Sequence, residues 1–190
     1  MDQERVREKQ FGIHKIFKFL KKEKKTIQEE KSEIVLIEEK HMVTVVKVEF
    51  TLDCCFLLLS NGKVMSRAKG ETISTLGRKE NDREKKKLFE KIDFNETTKD
   101  GKEIDGDLQI FDISAGNDHV LALDMNYSVW AWGRNIYRQV DPKGDGETRQ
   151  FPVKLNLPSD AKVVQVYALN NVSMLICKEN IIYMWGSTGE

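Results

Sequence analysis

The sequence predicts a mainly β protein: an incomplete β-propeller of about two to three blades with an N-terminal amphipathic helix. Three observations predict this class: a segment that recurs three times, short apolar runs divided by turn residues, and a first section of different composition. The recurring units begin 65 and then 53 residues apart and contain short strands, which is typical of propeller blades rather than of helical solenoids. We therefore expect a charged helical arm over residues 1–42 and partial propeller repeats over residues 43–190.

The N-terminal arm combines an apolar stripe with a high density of basic residues. Between Arg5 and Lys25, nine basic residues stand against two acidic ones. The apolar residues follow the i, i+3, i+4 and i+7 spacing of one helix face, and they are Ile13, Ile16, Phe17 and Leu20. A packed stripe beside a solvated face is one interpretation. A docking helix for an acidic protein surface, such as tubulin, is another, and a membrane surface or nucleic acid are further alternatives.

In the docking interpretation, a small set of apolar and basic residues contacts the partner. These residues are Phe17, Lys21, Lys22, Lys24 and Lys25. The apolar segment 34–39, which follows them, is a candidate for an additional strand on the first blade.

Three copies of one unit follow the arm, over residues 45–69, 110–134 and 163–187. Each copy has an apolar strand, a turn-like patch, a second apolar run of five or six residues, a polar turn and another short strand. The near-continuous apolar runs predict strands that are buried on both faces. In the first copy, Asn61 and Gly62 predict a two-residue hairpin turn.

The three copies align without gaps. Residues 13 positions apart mark the same places in each copy, and these pairs are His119 and Trp132, Val172 and Trp185, and Cys54 and Arg67. Because side chains alternate along a strand, Trp130 and Trp132 are expected on one face of their strand. Tyr183 and Trp185 form the corresponding aromatic face in the last copy.

The middle copy carries a family resemblance. Its sequence is ISAGNDHVLALDMNYSVWAWGRN, and the last copy contains YMWGS. Both resemble the regulator of chromosome condensation repeat, in which a small-Ala-Gly turn and a histidine precede an alternating Leu-Ala-Leu strand and an aromatic strand ending in Trp-Gly. The resemblance covers about three degenerate copies over residues 44–190 and implies a β-propeller, commonly of seven blades. The structural repeat positions that match are Gly116, His119, Trp130, Trp132, Gly133, Tyr183, Trp185 and Gly186.

The copies depart from the family pattern at loop positions. The turn glycine of the middle copy is replaced by Thr51 in the first copy and by Leu169 in the last. Tyr127 stands at a hairpin position where the family usually has glycine. Other residue types take the place of the histidine in the two other copies, so His119 is interpreted as a structural residue.

The sequence contains no pattern of a catalytic, metal or cofactor site. The segment 141–152 has the length of a calcium loop, but Lys143 and Pro152 occupy positions that require acidic ligands. Phosphate-cradling glycine loops, paired-cysteine zinc spacings and nucleophile elbows are absent from the sequence. We therefore predict no enzymatic activity, no metal and no cofactor.

Charge balance, the length of the apolar runs and the cysteines limit the kinds of partner and environment that we expect. The 31 basic and 31 acidic residues cancel, so the chain has no net attraction for nucleic acid. The longest apolar run, Cys54–Leu59, is too short to span a bilayer, and no membrane insertion is expected. Three cysteines in apolar runs favour reduced core thiols in an intracellular protein.

Three copies cannot close a propeller ring, so one end of the array is expected to be open. The strand Ile181–Trp185 is predicted to leave one side unpaired, with an aromatic-lined flank that needs cover and Ile181 and Tyr183 as candidate contacts. Either other protein subunits cover this end, or the chain is the N-terminal part of a longer propeller. The charged insertion 78–107 is predicted to be a long mobile excursion, either a partner contact or a bland loop.

Together these features favour a non-enzymatic interaction or scaffold subunit of a larger intracellular assembly. A cytoskeletal or ciliary, microtubule-associated setting in the cytoplasm is favoured over the nucleus. The resemblance implies an alternative, guanine-nucleotide exchange on a small GTPase by the N-terminal part of a longer propeller.

Overall fold

Three antiparallel sheets make up the described part of the chain in this computed structural model. The structure describes residues 43–70, 74–80, 84–94 and 108–188, which lie in one unit, residues 43–190. The predicted N-terminal helix, its docking residues and the candidate strand over residues 34–39 lie outside the described residues.

The sheets follow one another along the chain, and we call them blades 1, 2 and 3. Blade 1 has the order β1-β2-β3-β4, blade 2 the order β5-β6-β7-β8 and blade 3 the order β9-β10-β11. The strands are β1 Val45–Phe50, β2 Cys54–Leu59, β3 Val64–Ala68, β4 Glu90–Lys91, β5 Ile110–Ala115, β6 His119–Asp124, β7 Val129–Gly133, β8 Arg149–Lys154, β9 Val163–Leu169, β10 Asn171–Cys177 and β11 Ile182–Ser187. This architecture confirms the predicted incomplete β-propeller.

Strand pairing confirms the gapless alignment of the three copies. The middle strand of each blade pairs with the next strand in the same register, and the equivalent pairs are Cys54 with Ala68, His119 with Gly133, and Val172 with Gly186. Residues of blade 1 and blade 2 are therefore equivalent at a shift of 65, and those of blade 2 and blade 3 at a shift of 53. These equivalences allow the blades to be compared residue by residue.

The hairpin turns have three-residue loops, so the predicted two-residue turn at Asn61 and Gly62 is wrong. In each turn the last loop residue has a positive φ: 77° at Gly62, 64° at Tyr127 and 62° at Asn180. The amide of that residue donates to the carbonyl three residues earlier, as from Tyr127 to Asp124 at 3.1 Å. A three-residue loop of this kind needs a left-handed residue at its end, which explains the usual glycine.

Replacing Tyr127 with glycine should stabilise the protein. A left-handed conformation costs a side chain with a Cβ roughly 1–2 kcal/mol, whereas the Tyr127 ring is half exposed and contributes little packing. We expect Tyr127→Gly to raise the free energy of unfolding by about 0.5–1 kcal/mol in urea titrations. Asn180→Gly is the matched control, with a smaller gain because asparagine tolerates this conformation. A loss of stability in Tyr127→Gly would contradict the strain argument.

The blades pack face to face around two apolar clusters. The Trp130 and Trp132 face of blade 2 packs against blade 1, and the opposite face of blade 2 packs against blade 3. All six residues of β6 and all five of β7 are buried. The prediction of strands buried on both faces is confirmed for this central blade.

The described part of the charged insertion 78–107 is not a loose excursion, which corrects the prediction. Its residues Glu90 and Lys91 form β4, which pairs with β3. Ile92 and Phe94 are buried in the cluster between blades 1 and 2, where the Phe94 ring lies 5.8 Å from the Trp132 ring in an edge contact. Two apolar residues behind a charged run are enough to complete blade 1.

Arg78 ties this insertion to blade 1. Its guanidinium group is almost fully buried and donates to the Glu90 carboxylate at 3.1 Å. It also donates to the carbonyl of Leu88 at 3.1 Å. Because a buried guanidinium needs such partners, the ion pair fixes the path of the chain between β3 and β4.

Candidate functional site

The junction between blades 2 and 3 is built on His119. This residue is fully buried at the start of β6, and its Nε2 lies 2.9 Å from Ser173 Oγ of blade 3. The Ser173 hydroxyl donates its single proton to the carbonyl of Gln139 at 2.6 Å. The bond from His119 therefore runs from Nε2–H to Ser173 Oγ, which fixes the imidazole as the Nε2–H tautomer.

Burial makes His119 a neutral structural donor. It lowers the pKa of His119 from 6.5 to about 4, and a backbone hydrogen bond at Val172 opposes this shift only partly. A neutral imidazole that donates from Nε2 to a serine on the neighbouring blade joins two sheets. This geometry supports the structural interpretation of His119.

The stability of the junction should depend on pH through His119. The unfolded chain protonates this residue below about pH 6.5, whereas the folded chain protonates it only near pH 4. The stabilisation is complete above pH 6.5 and is lost as the pH falls towards 4, by on the order of 2–3 kcal/mol.

This pH dependence can be isolated by comparing urea titrations of the wild type and His119→Gln between pH 7 and pH 4. The glutamine amide keeps a donor but does not titrate, so it should flatten the profile. Burial also raises the pKa of Glu49, and this contribution cancels in the difference between the two proteins. Parallel profiles would contradict the assignment.

The tryptophans make equivalent bonds at both junctions. The Trp132 indole N–H donates to the carbonyl of Thr75 at 2.8 Å, and the Trp185 indole N–H donates to the carbonyl of Gln139 at 2.9 Å. In each case the acceptor lies in the segment that follows the third strand of the preceding blade. The aromatic faces predicted from sequence thus both point towards the preceding blade.

Blade 1 has a polar network of its own next to the junction with blade 2, which sequence reasoning missed. Asp53 accepts hydrogen bonds from the hydroxyls of Thr51 at 3.0 Å, Thr75 at 2.6 Å and Ser74 at 3.1 Å. Burial raises the pKa of the neighbouring Cys54 thiol to about 12, so Cys54 packs as a thiol where blade 2 has a histidine. The contacts of Asp53 with Ser74 and Thr75 span 21 and 22 residues and leave no local signal in the sequence.

A backbone hydrogen bond between turns recurs at both junctions. The amide of Leu52 donates to the carbonyl of Asn117 at 2.8 Å, and the amide of Asn117 donates to the carbonyl of Asn170 at 2.9 Å. The donor and acceptor are equivalent residues of neighbouring blades. The turn after the first strand of a blade is therefore hydrogen-bonded to the equivalent turn of the next blade at both junctions.

Blade 3 has one uncovered face, which we call the open face. It consists of Gln165, Tyr167, Leu169, Val172, Met174, Ile176, Ile182 and Met184. Leu169 and Met184 are about two-thirds exposed, at 70% and 67%, and most of these residues line a groove of about 500 Å³. Contiguous exposed apolar surface of this kind marks a contact site.

The open face is mostly aliphatic and does not contain Tyr183 or Trp185, which corrects the predicted flank. Tyr183 and Trp185 are half-buried and pack against the cluster between blades 2 and 3. Ile181, the other candidate contact of this strand, lies between the turn and β11, where its carbonyl accepts from the amide of Cys177, and is half exposed. The alternation along β11 was predicted, but the side of the strand that a neighbour covers was assigned the wrong way round.

In the acidic loop 141–148, carboxylates accept hydrogen bonds from backbone amides of the same loop. Asp141 accepts from the amide of Lys143 at 3.0 Å, and Asp145 accepts from the amide of Glu147 at 2.9 Å. Within the ranges that the structure describes, no group of three or more metal-ligating side chains was found. A search of the same ranges found no helix of the length and apolarity that a membrane span requires.

Comparisons with known proteins agree with this architecture. No protein-family model matches the sequence. The ultraviolet-B receptor UVR8 of Arabidopsis thaliana is 32% identical over 77 residues, which is 40% of this chain and 17% of that protein.

Solved structures match over more of the chain. Prp20p of Saccharomyces cerevisiae, also described as yeast RCC1, has a TM-score of 0.59 at 21% identity, over 80% of this chain and 32% of that chain. Human WBSCR16 has a TM-score of 0.56 at 20% identity, over 78% of this chain and 34% of that chain. The chain spans about a third of the length of these two structures.

Fold and junctions define a protein built from β-propeller blades. More particularly, the blades are similar to the β-propeller repeats of the regulator of chromosome condensation, as the similarity to Prp20p and UVR8 supports. The resemblance given by the middle copy is thereby confirmed at the level of the repeat.

Proposed function

We propose that this chain is a non-enzymatic protein-interaction module and that its contact surface is the open face of blade 3. The observation that carries the proposal is the cluster of exposed aliphatic side chains on β9, β10 and β11. An uncovered apolar sheet face promotes aggregation unless another surface packs on it. His119, the buried polar side chain at the start of β6, is bonded to Ser173 of the neighbouring blade and so holds two blades together.

We further propose that the module serves as a scaffold subunit of a larger intracellular assembly, cytoskeletal or ciliary and microtubule-associated. The nine basic residues between Arg5 and Lys25 support this setting, because a basic segment beside an apolar stripe suits an acidic protein surface such as tubulin. A cosedimentation assay of the full chain with microtubules tests it. Binding that persists when Lys21, Lys22, Lys24 and Lys25 are replaced by glutamine would contradict the assigned role of this segment.

The contact surface is tested by capture from native cell extracts. We compare the wild type, Leu169→Glu and Met184→Glu as baits, because a carboxylate on the open face should abolish an apolar contact. Met125→Glu is the matched control, since Met125 lies in the β6–β7 turn and is 58% exposed. A protein set that both open-face variants lose and the control keeps is the expected result. Identical capture by all four baits would remove the open face as the contact surface.

Nucleotide exchange is the second candidate function. It is favoured by the similarity to Prp20p, whose structure was described together with its binding to Gsp1p and histones. The chain covers 32% of that protein, so nucleotide exchange by this chain is a proposal. Acceleration of nucleotide release from a small GTPase by catalytic amounts of the chain would support exchange and overturn the non-enzymatic proposal.

A further inference from the structure

We propose that the open face of blade 3 binds the same face of a second copy of this chain, so that two copies form a two-fold symmetric β-sandwich. The proposal rests on the proposed function, since it names the occupant of the surface assigned above. Three properties of this face favour a second copy: the size of its side chains, its lack of charge and its area.

The open face differs from the two faces that are covered by a following blade. At the centre of the third strand, the covered faces carry Ser66 and Ala131, both buried, whereas the open face carries Met184. At the turn position the covered faces carry Thr51 and Gly116, and the open face carries Leu169. Small residues at these places allow a following blade to approach closely, whereas methionine and leucine fill the space.

The polar contacts of a covered face are also missing from the open face. Ser114 of blade 2 accepts a hydrogen bond from the amide of Ala168 at 2.9 Å, and the equivalent residue of blade 3 is Tyr167. His119 contacts Ser173 across the junction, and its equivalent is Val172. The open face therefore lacks these two side-chain contacts to a following blade and is better suited to a mostly apolar partner sheet.

Charge favours a second copy as that partner. No residue of β9, β10 or β11 is charged, whereas blades 1 and 2 carry charged residues in their strands. Two identical uncharged faces meet without repulsion, and a net charge of zero removes long-range repulsion between copies. A face with no charge also offers nothing by which a different, charged partner would be selected.

The area of the open face suits a weak dimer. Sheets that pack face to face lie about 10 Å apart with interdigitating side chains, and flexible methionines such as Met174 and Met184 adapt to such a contact. Two open faces would together bury on the order of 1,000 Å², which is the lower limit for a specific interface. We therefore expect a dissociation constant on the order of 10 µM.

Sedimentation equilibrium of the purified full chain tests the proposal at concentrations on both sides of that constant. The wild type should pass from monomer to dimer and stop there, because a two-fold contact closes at two copies. Met184→Glu and Leu169→Glu should remain monomeric, with near-ultraviolet circular dichroism unchanged because both side chains are exposed. Met125→Glu should dimerise as the wild type does.

Three results would overturn the proposal. They are a wild type that stays monomeric, open-ended association beyond the dimer, and a dimer that Met184→Glu and Leu169→Glu leave intact. A monomeric wild type whose capture of other proteins still depends on the open face would reject the second copy and leave the proposed function standing. Neither dimerisation nor face-dependent capture would reject both.

Discussion

Replacing Trp132 with alanine should lower the free energy of unfolding by about 3–5 kcal/mol, the range measured for buried aromatic residues. Trp132 is fully buried between blades 1 and 2. Its ring makes edge contacts with Phe56 at 5.9 Å and Phe94 at 5.8 Å, and its N–H satisfies the carbonyl of Thr75. Domains of this size are stable by about 5–15 kcal/mol, so this single change should remove a large share of the total.

Two further variants separate the causes of this loss. Trp132→Phe keeps an aromatic ring but removes the donor, and should cost about 1–3 kcal/mol because the carbonyl of Thr75 is left unsatisfied. Trp185→Ala is the matched control, since Trp185 holds the equivalent position in blade 3 but is only half-buried. We expect its loss to be smaller than that of Trp132→Ala in urea titrations. An equal loss would show that burial at the junction does not govern the effect.

Sequence reasoning reached the repeat and its register because both depend on local patterns. The alternation that places Trp130 and Trp132 on one face is visible within five residues, and strand pairing then follows from the hairpin. Sequence reasoning did not predict the burial of Ile92 and Phe94, which complete the core of blade 1. Their equivalents in blade 2 are Leu155 and Leu157, since the amide of Ile92 donates to Val64 and that of Leu155 to Val129. The segments before these residues differ in length and composition between the two copies, so the gapless alignment did not reach them.

The contacts between blades could not be predicted for a second physical reason. Lys47 with Asp112 and His119 with Ser173 are joined over 65 and 54 residues, and they form only after the blades have packed. The sequence also determines that β11 alternates, but not which of its faces meets a neighbour. That choice depends on the stacking direction of the blades, which a single strand does not encode.

The junction between blades 2 and 3 should be equally sensitive to Gly116. A Cβ at this position would lie 2.5 Å from His119 Cε1 and 2.6 Å from the carbonyl oxygen of Asn170. The backbone of blade 3 must move to relieve the second contact, and this movement weakens the bond between the amide of Asn117 and that carbonyl. We expect Gly116→Ala to lower the free energy of unfolding by about 2–3 kcal/mol, as overpacking does.

Blade 1 indicates how such a change can be compensated. It carries Thr51 at the position equivalent to Gly116 and Cys54 at the position equivalent to His119, so a larger turn residue accompanies a smaller one at the start of the strand. The double variant Gly116→Ala with His119→Cys should therefore lose less free energy of unfolding than the two single variants lose together. A double-mutant cycle in urea titrations measures this coupling, which should be about 1 kcal/mol or more.

Gly70→Ala serves as the control for the glycine itself, because no heavy atom lies within 4 Å of a Cβ built there. Its free energy of unfolding should remain within about 0.5 kcal/mol of the wild type. If Gly116→Ala were equally neutral, the carbonyl of Asn170 could not approach as closely as the structure requires. If the losses of the two single variants simply added in the double variant, positions 116 and 119 would not interact. That result would contradict the view that the two residues are matched within each blade.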